Sequence, residues 1–144
     1  MKSRFAGLFF PMFLFAAAVA ISGYSAWRAV AETRLRAQVK TCLLEVQRAL
    51  QDYHVAEENY PRKTPLTGAD LIGLLLEAGH LKAPPRNPWT GEAYRPDGET
   101  AASDRLRYGT DELAETYSLT ALASGNESVF LQLDSTEHPS LEED

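Results

Sequence analysis

Residues 35–53 read LRAQVKTCLLEVQRALQDY, and their apolar side chains recur at the three- and four-residue spacing of an amphipathic helix. The apolar positions are Leu35, Val39, Leu43, Val46, Leu50 and Tyr53, and the polar positions around the rest of the helix are Arg34, Arg36, Lys40, Glu45, Gln47, Arg48 and Asp52. No glycine or proline stands between Tyr24 and Tyr60, so nothing interrupts a helix before about residue 57. We therefore predict an amphipathic helix over residues 28–58, whose apolar stripe needs a partner surface elsewhere in the chain.

The segment before this helix is apolar. Residues 5–27 contain no charged side chain, and about 20 apolar residues are enough for a helix to cross the hydrocarbon core of a bilayer. We predict that residues 8–27 form a transmembrane helix that continues into the amphipathic one. Tyr24 and Trp27, at its end, carry the amphipathic rings that anchor helices at a membrane interface.

A cleavable secretory signal is the alternative for this segment. Lys2 and Arg4 provide a positive start, and Ala29-Val30-Ala31 has the small-x-small form of a cleavage site. We favour a retained anchor, because the apolar run exceeds the usual core of a signal peptide and Arg28 immediately precedes that site. The basic residues after the predicted span are Arg28, Arg34, Arg36 and Lys40. Counted alone, they outnumber Lys2 and Arg4 and place the following domain in the cytoplasm.

The rest of the chain changes from helical to strand periodicity. Tyr60-Pro61 ends the long helix, and a short helix is predicted over the leucine-rich residues 71–76, ending near Gly79. After the Pro96-Asp97-Gly98 turn we predict strands at residues 105–108, 116–123 and 128–133, with a hairpin loop at 124–127. Tyr117, Leu119, Ala121 and Ala123 share one strand face. The expected architecture is an α+β fold, with the long N-terminal helix packed on a small antiparallel sheet.

Composition and motifs argue against several functions. The formal net charge is −6, so a basic surface for nucleic acid is not expected. Cys42 is the single cysteine, which excludes an intrachain disulfide and suggests a small buried helix residue. His54, His80 and His138 stand far apart, and no sequence motif of metal-dependent or nucleophilic catalysis occurs. We expect a protein without enzymatic activity, and an acidic, disordered tail over residues 135–144.

Two groups of short strings resemble a known superfamily. Leu50-Gln51-Asp52-Tyr53 followed by Asn59-Tyr60-Pro61 resembles the helix end of type IV pilins and type II secretion pseudopilins. Gly79-His80-Leu81 followed by residues 85–94, PRNPWTGEAY, resembles the Asp-Pro-Trp-Gly-x-x-Tyr loop of the major pseudopilins. The likeness covers residues 1–134, and residues 59–134 are the expected pilin-like globular part. The structural loop residues it singles out are Tyr60, Pro61, Asn87, Pro88, Trp89, Gly91 and Tyr94. We expect the Trp89 and Tyr94 rings to bury large apolar area over the helix.

The resemblance also assigns the N terminus. Residues 1–7 are similar to a short basic leader, which a prepilin peptidase would cut between Gly7 and Leu8. The fifth mature position, a glutamate in the family, is held here by Met12. In the resembled fibres that glutamate meets the amino terminus of a neighbouring subunit, so Met12 argues against ordinary stacking of identical copies.

The resemblance implies a structural subunit of a type II secretion or type IV pilus-related machine. Its expected partners are other pilin-like or pseudopilin subunits, inner-membrane assembly proteins and membrane lipid. Its expected location is the inner membrane, crossed once, with the C-terminal domain periplasmic or extracellular. The alternative is a membrane-tethered binding or accessory protein that keeps a pilin-like domain without polymerising.

Calcium is the one ligand that the resemblance suggests, because the resembled pseudopilins bind it in a loop of the sheet region. Asp111, Glu112 and Glu115 lie between two predicted strands and are weak candidates for such a site. Calcium needs six or more converging oxygen ligands, and no EF-hand-like spacing occurs here. We therefore expect no cofactor and interpret these residues as a solvated acidic loop.

Overall fold

The computed structural model describes residues 6–62, 65–96, 98, 103–123 and 128–136, with side chains of the first helix described at Tyr24 and from Trp27 onward. The elements are α1 (Ala6–Glu57), β1 (Leu66–Thr67), α2 (Gly68–Glu77), β2 (Leu106–Thr110), β3 (Tyr117–Leu122) and β4 (Val129–Asp134). The chain divides into two compact units, Met1–Arg36 and Ala37–Asp144. The predicted α+β class, with a long helix and an antiparallel sheet, is confirmed.

The first unit contains the N-terminal part of α1. Of its large apolar side chains in the described part, Tyr24, Trp27 and Val30 are exposed and Leu35 is partly buried. Over the described residues, no helix has the length and hydropathy that a bilayer crossing requires. Residues 1–5 and the side chains of residues 6–23 lie outside the described part, and with them most of the predicted leader and span.

The second unit begins with the part of α1 that forms the core. The fully or nearly fully buried apolar residues there are Val39, Cys42, Leu43, Val46, Ala49 and Leu50. The helix ends at Glu57, as the sequence predicts. The placement of Gln47 on the polar side of the helix was wrong, because its side chain is only 1% exposed. Its Nε2 donates to the Asp134 carbonyl oxygen at 3.3 Å, which lets a polar side chain sit between helix and sheet.

The sheet is antiparallel throughout, in the order β1-β2-β3-β4. The three longer strands confirm the predicted ones to within two residues at each end. The two-residue strand β1 was not predicted, since Leu66 and Thr67 are too few to show an alternating pattern. Residues 124–127 and 137–144, which hold the predicted hairpin loop and most of the tail, lie outside the described residues. Ser135 and Thr136 form a turn, with the Ser135 amide 3.1 Å from the Tyr117 carbonyl oxygen.

One face of the sheet completes the core. Cross-strand pairing places Leu106 opposite Ala121 and Tyr108 opposite Leu119, and all four side chains are buried. Tyr117 shares this face, in agreement with the predicted alternation along β3. The neighbours of this face on β4 are only partly buried, so the core is densest under β2 and β3.

Helix α2 is held at its start by a local cap and by a side chain that lies 36 residues later in the chain. Thr67 caps the helix by accepting from the Asp70 amide at 3.2 Å. The buried Asp104 carboxylate accepts from the Gly68 and Ala69 amides at 3.0 and 2.8 Å. A Cβ on Gly68 would lie 2.6 Å from an Asp104 carboxylate oxygen and from Leu106 Cβ, so only glycine fits there. The predicted end near Gly79 is confirmed by its φ of +80°.

Candidate functional site

The loop of residues 85–94 is organised by Asn87, whose side chain is 0% exposed. Its Oδ1 accepts from the Trp89 amide at 2.9 Å and from the Thr90 amide at 3.4 Å. Its Nδ2 donates to the Ser103 carbonyl oxygen at 3.0 Å. One neutral amide therefore folds the loop locally and ties it to the segment that leads into β2.

The backbone of the same loop closes on itself. The Asn87 backbone N–H donates to the Glu92 carbonyl oxygen at 2.7 Å, and the Gly91 N–H donates to the Asn87 carbonyl oxygen at 2.8 Å. The Tyr94 N–H donates to the Pro85 carbonyl oxygen at 2.9 Å. Gly91 has φ +76°, a conformation in which a side chain is strained. These bonds, together with the Gly91 conformation, explain why an asparagine and a glycine occur in this string.

The two aromatic residues of the loop have different environments. Tyr94 is buried, as expected for a ring that contributes to the core. Trp89 is partly exposed, and the guanidinium carbon of Arg105 lies 5.6 Å from its ring centroid. Trp89 is thus a surface ring paired with a cation, whereas we expected both rings to bury large apolar area over the helix.

Pro88 and Gly91 line a groove between the loop and helix α1. Its volume is about 260 Å³ and its wall is mainly apolar. The helix contributes Ala37, Gln38, Thr41, Cys42 and Glu45, and the loop contributes Arg86, Asn87, Pro88 and Gly91. Cys42 is 3% exposed, which confirms the buried position predicted for it. Burial, helped by the nearby Glu45 carboxylate, raises the pKa of its thiol to about 12, so the reactive thiolate is disfavoured.

The Tyr60-Pro61 turn belongs to a separate cluster at the C-terminal end of α1. The Tyr60 amide donates to the Ala114 carbonyl oxygen at 2.9 Å, and the Tyr108 hydroxyl donates to the Pro61 carbonyl oxygen at 3.0 Å. The Tyr60 ring lies 4.4 Å from that of His54 and 4.7 Å from that of Tyr117, centroid to centroid. This cluster and the Asn87 loop contact α1 about 12 residues apart, roughly 18 Å along its axis, so the predicted loop residues form two structural sites.

Burial in the Tyr60 cluster changes the pKa of two tyrosine hydroxyls. Burial raises the pKa of Tyr108, and it raises the pKa of Tyr117 to about 12. Both phenols are therefore neutral at physiological pH. The described histidines pack in the same region, with the His80 ring 5.4 Å from that of Tyr53 in an edge-on arrangement. Their role in the structure is aromatic packing.

The acidic loop between β2 and β3 is folded around Asp111. Its Oδ1 accepts from the Glu115 amide at 2.9 Å, the Thr116 amide at 3.1 Å and the Thr110 hydroxyl at 3.5 Å. The Thr116 amide contributes most to lowering the pKa of this carboxyl below its usual value. The loop contains Ala114 at φ +58°, fully buried.

The weak calcium candidates are not gathered into a site. Glu112 and Glu115 are exposed, and Asp111 uses one oxygen to hold the loop. Within the described residues, no three His, Cys, Asp or Glu side chains lie close enough together to hold a metal ion. The role of Asp111 in the structure is to hold the loop through its hydrogen bonds from the Glu115 and Thr116 amides.

The remaining predicted residues are those of the leader. Gly7 and Leu8 belong to α1 by their backbone, as does Met12, but their side chains lie outside the described part of the chain. Sequence reasoning missed Asp104 and Gln47, which are, with Asn87, the buried polar residues among those that the structure describes. Gln47 stands four residues after Leu43, a spacing that could have placed it on the buried face.

Comparisons with protein-family models, with curated proteins and with solved structures found no match to this chain.

Proposed function

We propose that this chain is a pseudopilin-like or minor pilin-like structural subunit of a type II secretion or type IV pilus-related envelope machine. It acts through helix packing and assembly, without catalysis. The observation that carries the proposal is the change in burial along α1. Every described side chain from Trp27 to Arg34 is exposed, whereas Val39, Leu43, Val46 and Leu50 are completely buried.

A helix with these two environments is suited to assembly. The packed part carries the domain, and the part with exposed Trp27 and Val30 offers apolar surface to lipid or to another helix. The apolar composition of residues 8–27 supports a single membrane span, and the family resemblance implies that the membrane is the inner one. A periplasmic or extracellular domain follows from the family resemblance, which we weigh above the basic residues after the span.

The described cysteine and histidines have structural roles, which supports a protein without a reaction of its own. Cys42 is a buried thiol with its pKa raised to about 12. His54 and His80 each lie against a tyrosine ring. The groove beside Cys42 is mainly apolar, and the residues that line it include no histidine that could activate the sulfur.

The partners fitted to this proposal are other pilin-like subunits and the inner-membrane proteins that assemble them, with a prepilin peptidase acting at Gly7. Met12 in place of the family glutamate favours a special position, such as the tip, over a homopolymer. It also favours the second candidate function, a membrane-tethered accessory protein that does not polymerise. The two differ in whether the leader is cut and whether α1 contacts other subunits.

Cleavage and insertion are tested on the native protein. We expect the chain to stay in the membrane fraction after alkaline carbonate extraction, and intact-mass analysis to find Leu8 as the first residue. Retention of Met1 together with membrane insertion would favour the accessory protein. Release of the chain by carbonate would contradict both functions.

Contacts are tested by single-cysteine crosslinking in cells. Cys42 is too buried to serve as the probe, so it is first replaced in Cys42→Ala. Ala31→Cys places a thiol on the exposed part of α1, and Lys82→Cys, exposed on the domain, is the control. We expect crosslinks from position 31 to a different subunit type, and fewer from position 82. A regular ladder of this chain alone would contradict the minor role, and gain of such a ladder in Met12→Glu would support the account of Met12.

A further inference from the structure

Charge is divided unevenly between the two units of the chain. Residues 1–36 carry five basic side chains and the single acidic Glu32, a net charge of +4. Residues 37–144 carry nine basic and nineteen acidic side chains, a net charge of −10, which together give the −6 of the whole protein. The helix segment after the predicted span, residues 28–36, carries three arginines against Glu32, a net charge of +2 in an acidic protein, and that segregation indicates an anionic partner.

The basic residues lie next to exposed aromatic rings. Tyr24 is 56% and Trp27 is 67% exposed. The Arg28 guanidinium carbon lies 5.1 Å from the Tyr24 ring centroid, so this cation is directed back toward the N terminus of the helix. We call Tyr24, Trp27, Arg28, Arg34 and Arg36 the basic-aromatic belt.

The arginines of the belt surround the helix. At about 100° per residue, Arg28, Arg34 and Arg36 are separated by roughly 80 to 160° around the axis. All three are exposed, and Arg36 also pairs with Glu32 at 3.4 Å. A protein surface would contact one side of the helix, whereas a layer of headgroups encircles it. The circular distribution therefore favours a lipid partner.

The spacing along the axis also fits a headgroup layer. Arg28 and Arg36 are about 12 Å apart along the helix, and each headgroup region is about 5–8 Å thick. Helical side chains tilt toward the N terminus, and long arginine side chains extend to place their charge at the interface. Arg34 and Arg36 can thus reach the layer at which Trp27 is anchored.

We propose that the basic-aromatic belt binds anionic phospholipid headgroups, selectively over zwitterionic ones, on the side of the membrane that faces the domain. This inference rests on the proposed membrane helix and adds a lipid class to it. The cations supply the selectivity by Coulomb attraction, at a site where the aromatic rings hold the helix at a fixed depth.

The test uses the full-length protein with Trp89→Phe, which leaves Trp27 as the only tryptophan. It is reconstituted in bilayers of phosphatidylcholine and phosphatidylglycerol in which one or the other lipid carries brominated acyl chains. We expect brominated phosphatidylglycerol to quench Trp27 as if enriched about threefold or more around the helix. Addition of about 0.5 M NaCl should reduce the enrichment by screening the charges.

Two variants and a control separate charge from structure. Arg28→Gln/Arg34→Gln/Arg36→Gln should quench equally with both lipids, and Arg28→Lys/Arg34→Lys/Arg36→Lys should keep the preference. Arg62→Gln/Lys82→Gln/Arg86→Gln removes the same charge from exposed positions of the domain and should behave like the parent.

The outcomes distinguish this inference from the proposed function. Equal quenching by both lipids in the parent would overturn the lipid preference while leaving the membrane helix in place. Quenching by neither lipid would overturn both. Equal quenching together with self-association that depends on the three arginines would assign the belt to a second copy of the chain, against the lipid proposal.

Discussion

Two loops of the domain are each folded around one Asn or Asp side chain that accepts hydrogen bonds from backbone amides. One of these side chains is buried and the other is exposed. Asn87 is fully buried, and its neutral amide accepts from two backbone amides and donates to the Ser103 carbonyl oxygen. Asp111 is exposed, and its carboxylate accepts from the Glu115 and Thr116 amides. The buried position requires a donor as well as an acceptor, whereas the exposed one requires only an acceptor and can carry charge in water.

The largest expected effect comes from removing the buried side chain. The variants are compared in the fragment of residues 32–144, which keeps the buried residues of the second unit. Asn87→Ala loses three hydrogen bonds in a site closed to water, so we expect the free energy of unfolding to fall by about 2–4 kcal/mol. Urea denaturation followed by circular dichroism measures this change. A loss as small as that of an exposed turn residue would mean that the loop is folded by its backbone alone.

Asn87→Asp sharpens the comparison by giving the buried loop the side chain of the exposed one. Its second oxygen would face the Ser103 carbonyl oxygen, and the buried charge should cost about 2–3 kcal/mol at pH 7. Burial raises the folded-state pKa of this new carboxyl, so the variant should approach the parent at low pH and lose stability as pH rises through that pKa.

Urea midpoints of the parent and of Asn87→Asp between pH 3 and pH 8 test this. A difference that does not depend on pH would refute the assigned role of the Asn87 donor. If Asn87→Asp and the parent were equally stable at pH 7, the buried position of Asn87 would accept a carboxylate as readily as the exposed position of Asp111.

A smaller change in stability is expected at Gly91 and Ala114, the residues of the two loops with positive φ. Gly91→Ala adds a Cβ that meets no neighbouring atom within 4 Å, so only backbone strain of about 1 kcal/mol opposes it. Ala114→Gly relieves similar strain but loses about 0.8 kcal/mol of methyl burial, and should be nearly neutral. Thermal unfolding of both variants measures the difference. If Ala114→Gly lowered the stability as much as Gly91→Ala does, packing of the Ala114 methyl group would outweigh the relief of backbone strain.

Asp111 should contribute less, and in a pH-dependent way. Its pKa is lowered in the folded state, first by the Thr116 amide. The carboxylate therefore stabilises the fold at pH values above its ordinary pKa of 3.8, and this contribution is lost as pH falls through the folded-state value. Asp111→Asn keeps an acceptor, so its melting temperature should fall by less than about 2 °C at pH 7. The difference from the parent should shrink below pH 4.

The smallest expected effect is that of calcium on the acidic loop. Since Asp111 Oδ1 already accepts from backbone amides, addition of about 1 mM calcium should change the melting temperature of the fragment by less than about 1 °C. Magnesium at the same concentration is the control for ionic strength. A rise of several degrees with calcium only, abolished in Asp111→Asn, would identify a native-state site.

The sequence alone predicted those features that rest on local periodicity and on backbone chemistry. The apolar repeat Val39, Leu43, Val46, Leu50 defined the packed face of α1, and Tyr60-Pro61 its end. Alternation along residues 117–121 identified the buried face of β3. These patterns are readable because helices and strands repeat their side-chain directions at fixed periods.

The tertiary structure decided the features that depend on partners distant in the chain. Gln47 is buried because a carbonyl oxygen of β4 is positioned to accept from it, and Asp104 because the amides at the start of α2 need an acceptor. Asn87 was singled out by its string, but only the fold showed that Ser103 satisfies its donor. The cost of burying a polar group depends on whether a matching partner lies within hydrogen-bond distance, and that distance is set by the packing of the whole domain.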